Sequence, residues 1–201
     1  QVAKCTLAGV LSSVATVGST ITTVAQSVVG SDGNLYMFYN NKVVRVSSAG
    51  VVTDDVFTAI PADMRITSAC RYGSYLAIGC AYGTSNTASP TGRSQVYIWD
   101  YVTTTTAVDV VEWGEGALQV LGNIEGRVVG VSNKYLETPA GLTSLAVGRG
   151  AMVVRMWAGG TPRVMKEIVA NQSVTLGRFI RNVVIKDNKM YCLVLFLYND
   201  K

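Results

Sequence analysis

The sequence predicts an all-β protein made of antiparallel four-stranded blades, as in a β-propeller or a segment of one. Three observations predict this fold class. Short strands rich in β-branched and aromatic residues recur along the chain, with turn residues between them. A tight turn opens each of four successive units. The strand after each turn is apolar at nearly every position, so it needs cover on both faces. A β-sandwich is the alternative, because the spacing of the four turns is irregular.

The composition suits a packed domain with many turns. Of the 201 residues, 49% are hydrophobic and 15% are charged, which is enough apolar material for a sizeable core. The 20 glycines fit frequent tight turns. We predict one all-β domain over residues 1–201, or a fragment of a larger propeller. Its blade-like units are predicted at 20–64, 65–116, 117–174 and 175–201.

The first unit follows a small, hydroxyl-rich N-terminal stretch. The β-branched content of that stretch favours strands over a helix at residues 7–17. The Ser-Asp-Gly-Asn sequence at 31–34 is a strong turn signal. The predicted strands and turns are, in order, 20–24, 27–29, the turn 31–34, 35–39, the turn 40–41, 42–46, the turn 49–50, and 51–52.

The second unit, residues 66–116, is predicted to be one antiparallel sheet. Its centre is the run Gln-Val-Tyr-Ile-Trp-Asp at 95–100. A long polar insert at 83–93 is predicted to be a loop. The four threonines at 103–106 form a strand edge or a turn, and threonine weakly favours extending the sheet. The strands, in order, are 66–71, 75–78, 95–99 and 108–113, with a turn at 72–73.

The third and fourth units repeat the alternation of apolar strands and turns. Residues 133–143, which contain Pro139, are predicted to be a loop. The Gly-Gly-Thr-Pro sequence at 159–162 ends a strand. The predicted elements are 118–121, the turn 125–126, 127–131, 144–147, the turn 149–150, 152–157, 182–185, the turn 187–188, and 189–198. The predicted core residues are Met37, Ile78, Ile98, Val129, Val154 and Leu195.

Four cysteines are present: Cys5, Cys70, Cys80 and Cys192. None forms a Cys-x-x-Cys pair, which argues against a zinc site. Cys70 and Cys80 flank a predicted hairpin. A two-residue turn at 72–73 would pair Cys70 with Tyr75, so Cys80 would be out of register for a disulfide. We therefore expect free thiols, as in a reducing compartment.

Charge is unevenly distributed along the chain. Residues 1–140 carry 8 Lys/Arg and 10 Asp/Glu, whereas residues 141–201 carry 9 and 3, a net charge of +6. A basic end favours an acidic partner surface or nucleic acid; the other interpretation is a set of solvated strand and loop positions. The candidate partner contacts are Arg149, Arg163 and Arg178, together with the loops at 83–93 and 133–143, which are long for simple turns.

The sequence contains no histidine, which removes Ser-His and Cys-His nucleophile pairs and histidine metal sites. Asp54 and Asp55 are adjacent and suit a solvated turn. Glu112 and Glu115 flank Trp113; an acid/base or sugar-binding pair is one interpretation, and a rim loop is the favoured one. Cofactors, metal sites and catalytic residues are therefore predicted to be absent.

The aromatic and turn motifs invite comparison with propeller families. Trp99-Asp100 resembles the dipeptide of WD40 blades, but the Gly-His pair of that family is missing. Gly159-Gly160 resembles a kelch diglycine, and the turn at 31–33 resembles a sialidase Asp-box without its tryptophan. Trp99, Trp113 and Trp157 could stack on sugars, although strand-end tryptophans more often pack between blades.

A further resemblance covers part of the chain. The run 75–78, a polar loop, the runs 96–100 and 111–116, and then 118–131 resemble β-propeller domains of tailed-bacteriophage virion proteins found at the tail and its connector. The resemblance implies a structural ring or adaptor, and it carries over no functional residue.

The function predicted from these features is a non-enzymatic structural or assembly domain, a virion component that acts through protein–protein contacts. Its partners would be other subunits of a larger symmetric assembly, with DNA nearby. A glycan-binding propeller is the alternative, and a carboxylate glycosidase is the third hypothesis. No stretch is apolar over the length that a membrane-spanning helix needs. The expected location is the virion, with the cytoplasm as the alternative.

Overall fold

The computed structural model describes residues 2–5, 11–15, 24–82, 93–137, 149–169, 180–187 and 189–194. Within these ranges every regular element is a β-strand, which confirms the all-β prediction. The strands are β1 Val2–Cys5, β2 Leu11–Ala15, β3 Gln26–Val29, β4 Leu35–Tyr39, β5 Lys42–Val46, β6 Val52–Thr53, β7 Met64–Tyr72, β8 Tyr75–Tyr82, β9 Arg93–Trp99, β10 Asp109–Glu115, β11 Ala117–Ile124, β12 Arg127–Glu137, β13 Arg149–Trp157, β14 Arg163–Val169, β15 Ile180–Lys186 and β16 Lys189–Val194.

These strands form three four-stranded antiparallel sheets flanked by two hairpins. Sheet 1 contains β3 to β6, sheet 2 contains β7 to β10, and sheet 3 contains β11 to β14. Strands β1 and β2 form the N-terminal hairpin, and β15 and β16 form the C-terminal hairpin. Each strand within a four-stranded sheet pairs with its neighbours in sequence. The predicted four-stranded antiparallel blades are therefore confirmed. The division of the chain into domains stays a prediction.

Turn chemistry sets the register of the hairpins. In sheet 3, Ile124 pairs with Arg127 across Glu125 and Gly126, whose φ values are 51° and 72°. Positive φ at both central positions is the geometry that matches the twist of a two-residue hairpin. The turn between β4 and β5 likewise has Asn40 at φ 50°. These turns lie where the sequence predicted them.

One turn is displaced by a residue from its predicted place. Tyr72 pairs with Tyr75, so the two-residue turn is Gly73-Ser74 and not 72–73. Cys70 consequently pairs with Ala77, and Cys80 pairs with Ile66. The two thiols still do not face one another, and both are free. The free-thiol prediction is confirmed for this pair, whereas the side chains of Cys5 and Cys192 lie outside the described residues.

Alternating side chains give the central sheet two buried faces. On β8, Leu76 and Ile78 belong to the core shared with sheet 1, while Ala77 belongs to the core shared with sheet 3. On β9, Trp99 faces sheet 1 and Ile98 faces sheet 3. Because successive side chains of a strand point to opposite faces, a strand with two buried faces is apolar throughout.

The core between sheets 1 and 2 is aromatic. The ring of Trp99 lies 4.9 Å from that of Phe57 and 5.6 Å from that of Tyr36, measured between centroids. Trp99 also donates its indole Nε1–H to the Thr104 carbonyl at 2.8 Å, so its polar atom is satisfied. Its neighbours in this core are Phe38, Val43, Ile60, Met64, Ile66, Ala69, Leu76, Ile78, Cys80, Tyr97 and Tyr101.

The core between sheets 2 and 3 is closed by glycines as well as by large side chains. A Cβ on Gly130 would lie 2.6 Å from Cζ2 of Trp113, and a Cβ on Gly79 would lie 2.6 Å from Cδ2 of Leu118. Both glycines lie within strands, where a glycine often marks a close approach. The absence of these side chains lets the two sheets approach each other.

Successive sheets contact one another through their first strands. Strand β7 contacts β3 of the preceding sheet, and β11 contacts β7 and β15. Hydrogen bonds join these strands directly: the Ala69 amide donates to Oε1 of Gln26 at 2.9 Å, and Nδ2 of Asn123 donates to the Arg71 carbonyl at 3.1 Å. Sheets whose first strands lie side by side, and whose two faces are both buried, are arranged as propeller blades are. In a sandwich, each sheet would keep one face in water, so that alternative is set aside.

Several predicted elements differ from the structure. Arg149 and Gly150 lie inside β13, opposite Glu137 and Tyr135, and do not form a turn. The predicted loop at 133–143 is wrong over its first five positions, which continue β12. Thr103 to Thr106 belong to a turn and not to the sheet. The predicted elements at 83–92, 144–147 and 195–198 lie outside the described residues.

The predicted core is largely correct. Ile78, Ile98, Val129 and Val154 are at most 7% exposed. Met37 is only half-buried, because it faces the outer side of sheet 1, where the N-terminal hairpin contributes Val2. Leu195 lies outside the described residues.

Candidate interaction surface

A groove of about 450 Å³ lies at one end of sheet 3. It is formed where β12 begins, β13 ends and β14 begins. We call it the sheet 3 groove, and its lining consists of Arg127, Met156, Ala158, Gly159, Thr161, Arg163 and Met165.

Local sequence explains how the sheet 3 groove is built. Gly159 and Gly160 adopt φ values of 106° and 72°, which side chains with a Cβ rarely adopt, so β13 ends before them. The Nε1–H of Trp157 donates to the Gly160 carbonyl at 2.8 Å and fixes the turn. Strand β14 then starts at Arg163, which pairs with Met156. Met156 therefore lies at the floor, with arginines on either side.

The sheet 3 groove is electropositive. Arg127 and Arg163 are both exposed, and among the described residues they are the only charged ones in its lining. The ion pair seen among the described residues, Lys42 with Asp55 at 2.8 Å, lies in sheet 1 and involves neither arginine. Arg127 has one weak contact, from Nη1 to Sδ of Met156 at 3.8 Å. With respect to the part of the chain that the structure describes, both guanidinium groups thus retain donors for a ligand.

The structure separates the three predicted contact residues. Arg163 lines the sheet 3 groove. Arg149 lies at the opposite end of the β13–β14 hairpin, about 23 Å along the strand from Met156 at the usual rise per residue. Arg178 lies outside the described residues, as does the polar loop at 83–92. Arg149 and Arg163 therefore do not share one patch.

Sequence reasoning missed Arg127, Met156 and Met165 as groove residues. The sequence predicts Met156 as part of an apolar strand, and it predicts no strand at Arg163–Val169, where β14 lies. A usable signal was present: the diglycine at 159–160 implies a hairpin, which would place the residues after Pro162 beside the end of β13.

A buried arginine lies between sheets 2 and 3 and is distinct from the groove. Arg155 is 8% exposed and donates from Nη1 to the Glu115 carbonyl at 3.4 Å. Burial lowers the pKa of its guanidinium, while nearby Glu167 and Glu115 oppose that shift. Its side chain packs over Gly114, where a Cβ would lie 3.2 Å from Nη2. This arrangement supports the contact between two sheets and offers no open site.

The carboxylates considered as catalytic pairs lie on an edge strand and in an exposed bend. Glu112 and Glu115 lie in the edge strand β10, not in the predicted rim loop. Nε2 of Gln95 donates a hydrogen bond to Oε1 of Glu112. Asp54 and Asp55 are exposed in a bend, as predicted, and Asp55 is paired with Lys42. Among the described residues, no group of three or more metal-ligating side chains occurs.

The three tryptophans are buried between sheets. Trp99 and Trp113 are 1% exposed and Trp157 is 6% exposed. Their ring faces are therefore not available for stacking on a sugar, and the prediction that they pack between blades is confirmed. The Trp99-Asp100 pair has a local role: the carboxylate of Asp100 accepts bonds from the Val102 and Thr103 amides at 3.2 and 3.3 Å and orders the turn.

A second, more polar cleft of about 340 Å³ separates sheet 1 from the turn after β9. Nη2 of Arg45 donates to Oγ1 of Thr53 at 3.3 Å, so its guanidinium is partly satisfied within the protein. Lys42 also pairs with Asp55 beside this cleft. The cleft holds both signs of charge, in contrast to the sheet 3 groove.

No helix capable of crossing a membrane occurs in the described part of the chain.

Comparison with known proteins gives likenesses of shape. No protein-family model and no curated protein sequence matches this chain. A solved structure titled the WD40 β-propeller domain of Doa1 is similar with a TM-score of 0.44 and 12% identity, over 85% of this chain and 62% of that one. A chain of a mitotic checkpoint complex structure is similar with a TM-score of 0.38 and 11% identity, over 84% of this chain and 61% of that one. The chain thus spans less than two thirds of the length of either similar chain.

Proposed function

We propose that this protein is a structural or assembly domain that acts by contact with other proteins and not by turnover of a substrate. The observation that carries the proposal is the sheet 3 groove: two arginines without an ion pair among the described residues lie beside the exposed Met165 and the half-buried Met156 on a stack of packed sheets. Exposed apolar side chains rimmed by charge are typical of protein interaction sites. Arginine and methionine are also enriched at such sites.

We propose further that the assembly is a virion, at the phage tail or its connector. The support is the resemblance of the runs at 75–78, 96–100 and 111–116 to propeller domains of such particles, together with the net charge of +6 over residues 141–201. A positive end is suited to an acidic neighbouring subunit. Burial of Trp99, Trp113 and Trp157 weakens the glycan-binding alternative.

Simultaneous charge reversal of Arg149, Arg163 and Arg178 to Glu tests this function. We expect the triple variant to form fewer high-mass assemblies than the parent in light scattering and electron microscopy, because repulsion replaces attraction at an acidic neighbour. The parent assemblies should also weaken as salt is raised. The reversal Arg71→Glu, at an exposed arginine of sheet 2, is the control. A parent chain that stays monomeric and hydrolyses a glycoside would contradict the proposal.

A further inference from the structure

Within the described residues, the outer part of sheet 3 carries apolar side chains that are only partly covered. On sheet 2, the face towards sheet 3 is closed, with Ile98 and Trp113 at most 3% exposed. On sheet 3, the face away from sheet 2 is closed at Val131 and Val154, but Met156 is half-buried and Met165 is 54% exposed. The sheet 3 groove therefore lies where a further chain segment could pack against the sheet.

The charges of the groove select the chemistry of such a segment. Among the described residues that line the groove there is no carboxylate, and Arg127 and Arg163 are both exposed. Guanidinium groups bind carboxylates through paired, charge-assisted hydrogen bonds. An occupant with carboxylates would supply acceptors that these two side chains do not find among the described residues of the groove.

The apolar part of the sheet 3 groove limits the chemical class of its occupant. Met156 and Met165 are flexible and polarizable, and methionines adapt to apolar side chains of varied shape. The described residues of the lining include no aromatic side chain, and proteins that bind single-stranded nucleic acids use aromatic side chains for base stacking. Carboxylates combined with apolar side chains describe an acidic peptide better than a nucleic acid.

The position of β14 indicates the conformation of the occupant. This strand is the last of sheet 3, and within the described residues no strand pairs with its outer edge. Val164 and Met165 on it are 56% and 54% exposed. A strand with a free edge and exposed apolar side chains suits an extended segment.

We propose that the sheet 3 groove binds an extended acidic segment of a partner protein, with its carboxylates on Arg127 and Arg163 and its apolar side chains on Met156 and Met165. This proposal rests on the proposed function and names the chemistry of the partner.

Fluorescence anisotropy with a labelled synthetic peptide that alternates Glu with Leu tests the proposal. A matched peptide with Gln in place of Glu should bind more weakly, and salt should weaken binding of the Glu peptide alone. The variants Arg127→Gln and Arg163→Gln should each lower affinity about two- to fivefold, as exposed ion pairs do, and the double variant about tenfold. Lys166→Gln, on β14 but outside the groove lining, is the matched control and should bind like the parent.

Four outcomes would overturn the proposal: no detectable binding, equal binding of the Glu and Gln peptides, an equal loss in Lys166→Gln, or tighter binding of a single-stranded oligonucleotide than of the Glu peptide. The assembly assay separates this failure from that of the proposed function. If the parent forms assemblies that weaken in the triple charge reversal but binds no Glu peptide, the peptide proposal fails and the assembly function stands. If the parent forms no assembly yet binds the Glu peptide in this manner, the groove chemistry stands without the assembly function.

Discussion

At the scale of single residues, burial of weak acids makes the stability of the fold depend on pH. Cys80 is fully buried in the core between sheets 1 and 2, and burial raises the pKa of its thiol. Burial also raises the pKa of Tyr97 and of Tyr36, where a hydrogen bond to Asp32 adds to the shift. The folded state therefore favours the protonated form of all three groups.

We expect the free energy of unfolding to be unaffected by these groups below pH 9 and 10, the ordinary pKa values of a thiol and a phenol, and to fall above them. In the unfolded chain the groups lose protons there, while in the folded chain they retain them. Each group should cost about 1.4 kcal/mol per pH unit in that range. Urea unfolding at about pH 8 and about pH 11 measures this loss. A Cys80→Ala variant should show a shallower decline, and a parent with equal stability at both pH values would contradict the burial.

The residue scale also shows what sequence could not supply. That Gly130 faces the ring of Trp113 follows only from the packing of sheet 2 on sheet 3, since the sequence does not say which sheets meet. The sequence predicts the turn after β7 one residue too early, because a glycine can occupy either central position of a hairpin turn. Gly73 has a φ of 58°, and Ser74 does not share that left-handed geometry, so glycine occupies the first position.

At the scale of elements, the contrast between β9 and β10 tests which strands form the core. Ile98→Ala in β9 should cost about 2–5 kcal/mol, because it leaves a cavity at a side chain that is 3% exposed. Val110→Ala in β10 removes a side chain that is 47% exposed and should change stability by about 0.5 kcal/mol or less. Chemical denaturation of both variants checks the difference. Similar losses would mean that the outer strand is as well packed as the inner ones.

Strands were predictable where local turn chemistry agreed with pairing. The turns at 40–41 and 125–126 lie where Asn, Glu and Gly placed them. Strand β13 begins earlier than predicted because Gly150 pairs with Tyr135 across the sheet, a long-range contact that overrides the turn preference of Arg149-Gly150. The same pairing extends β12 into the predicted loop. Charge alone predicts Arg163 as a contact residue. Met156 and Met165 can be placed beside it only once the β13–β14 hairpin is known.

At the scale of the whole molecule, fold class was predictable because it depends on a pattern repeated in every sheet. Strands that are apolar on both faces require neighbours on both sides, whichever sheets those are. The candidate site was less accessible, because the groove combines Arg127 with Arg163, which are brought together only by the pairing of three strands. Charge along the sequence indicated the basic end of the chain but could not separate Arg149 from Arg163 in space.

The inner-edge contacts between successive sheets make the molecule a nearly one-dimensional array, in which each sheet depends on its immediate neighbours. In such an array, cooperativity comes from the interfaces, and local opening starts at the ends. Sheet 2 has a four-stranded neighbour on each side, whereas sheets 1 and 3 each have one such neighbour and a hairpin. Amide protons of β8 and β9 should therefore exchange with deuterium last, at rates set by global unfolding, while those of β5 and β14 should exchange earlier through partial opening. Native-state hydrogen exchange followed by mass spectrometry measures this gradient, and uniform protection across the three sheets would indicate a single indivisible folding unit.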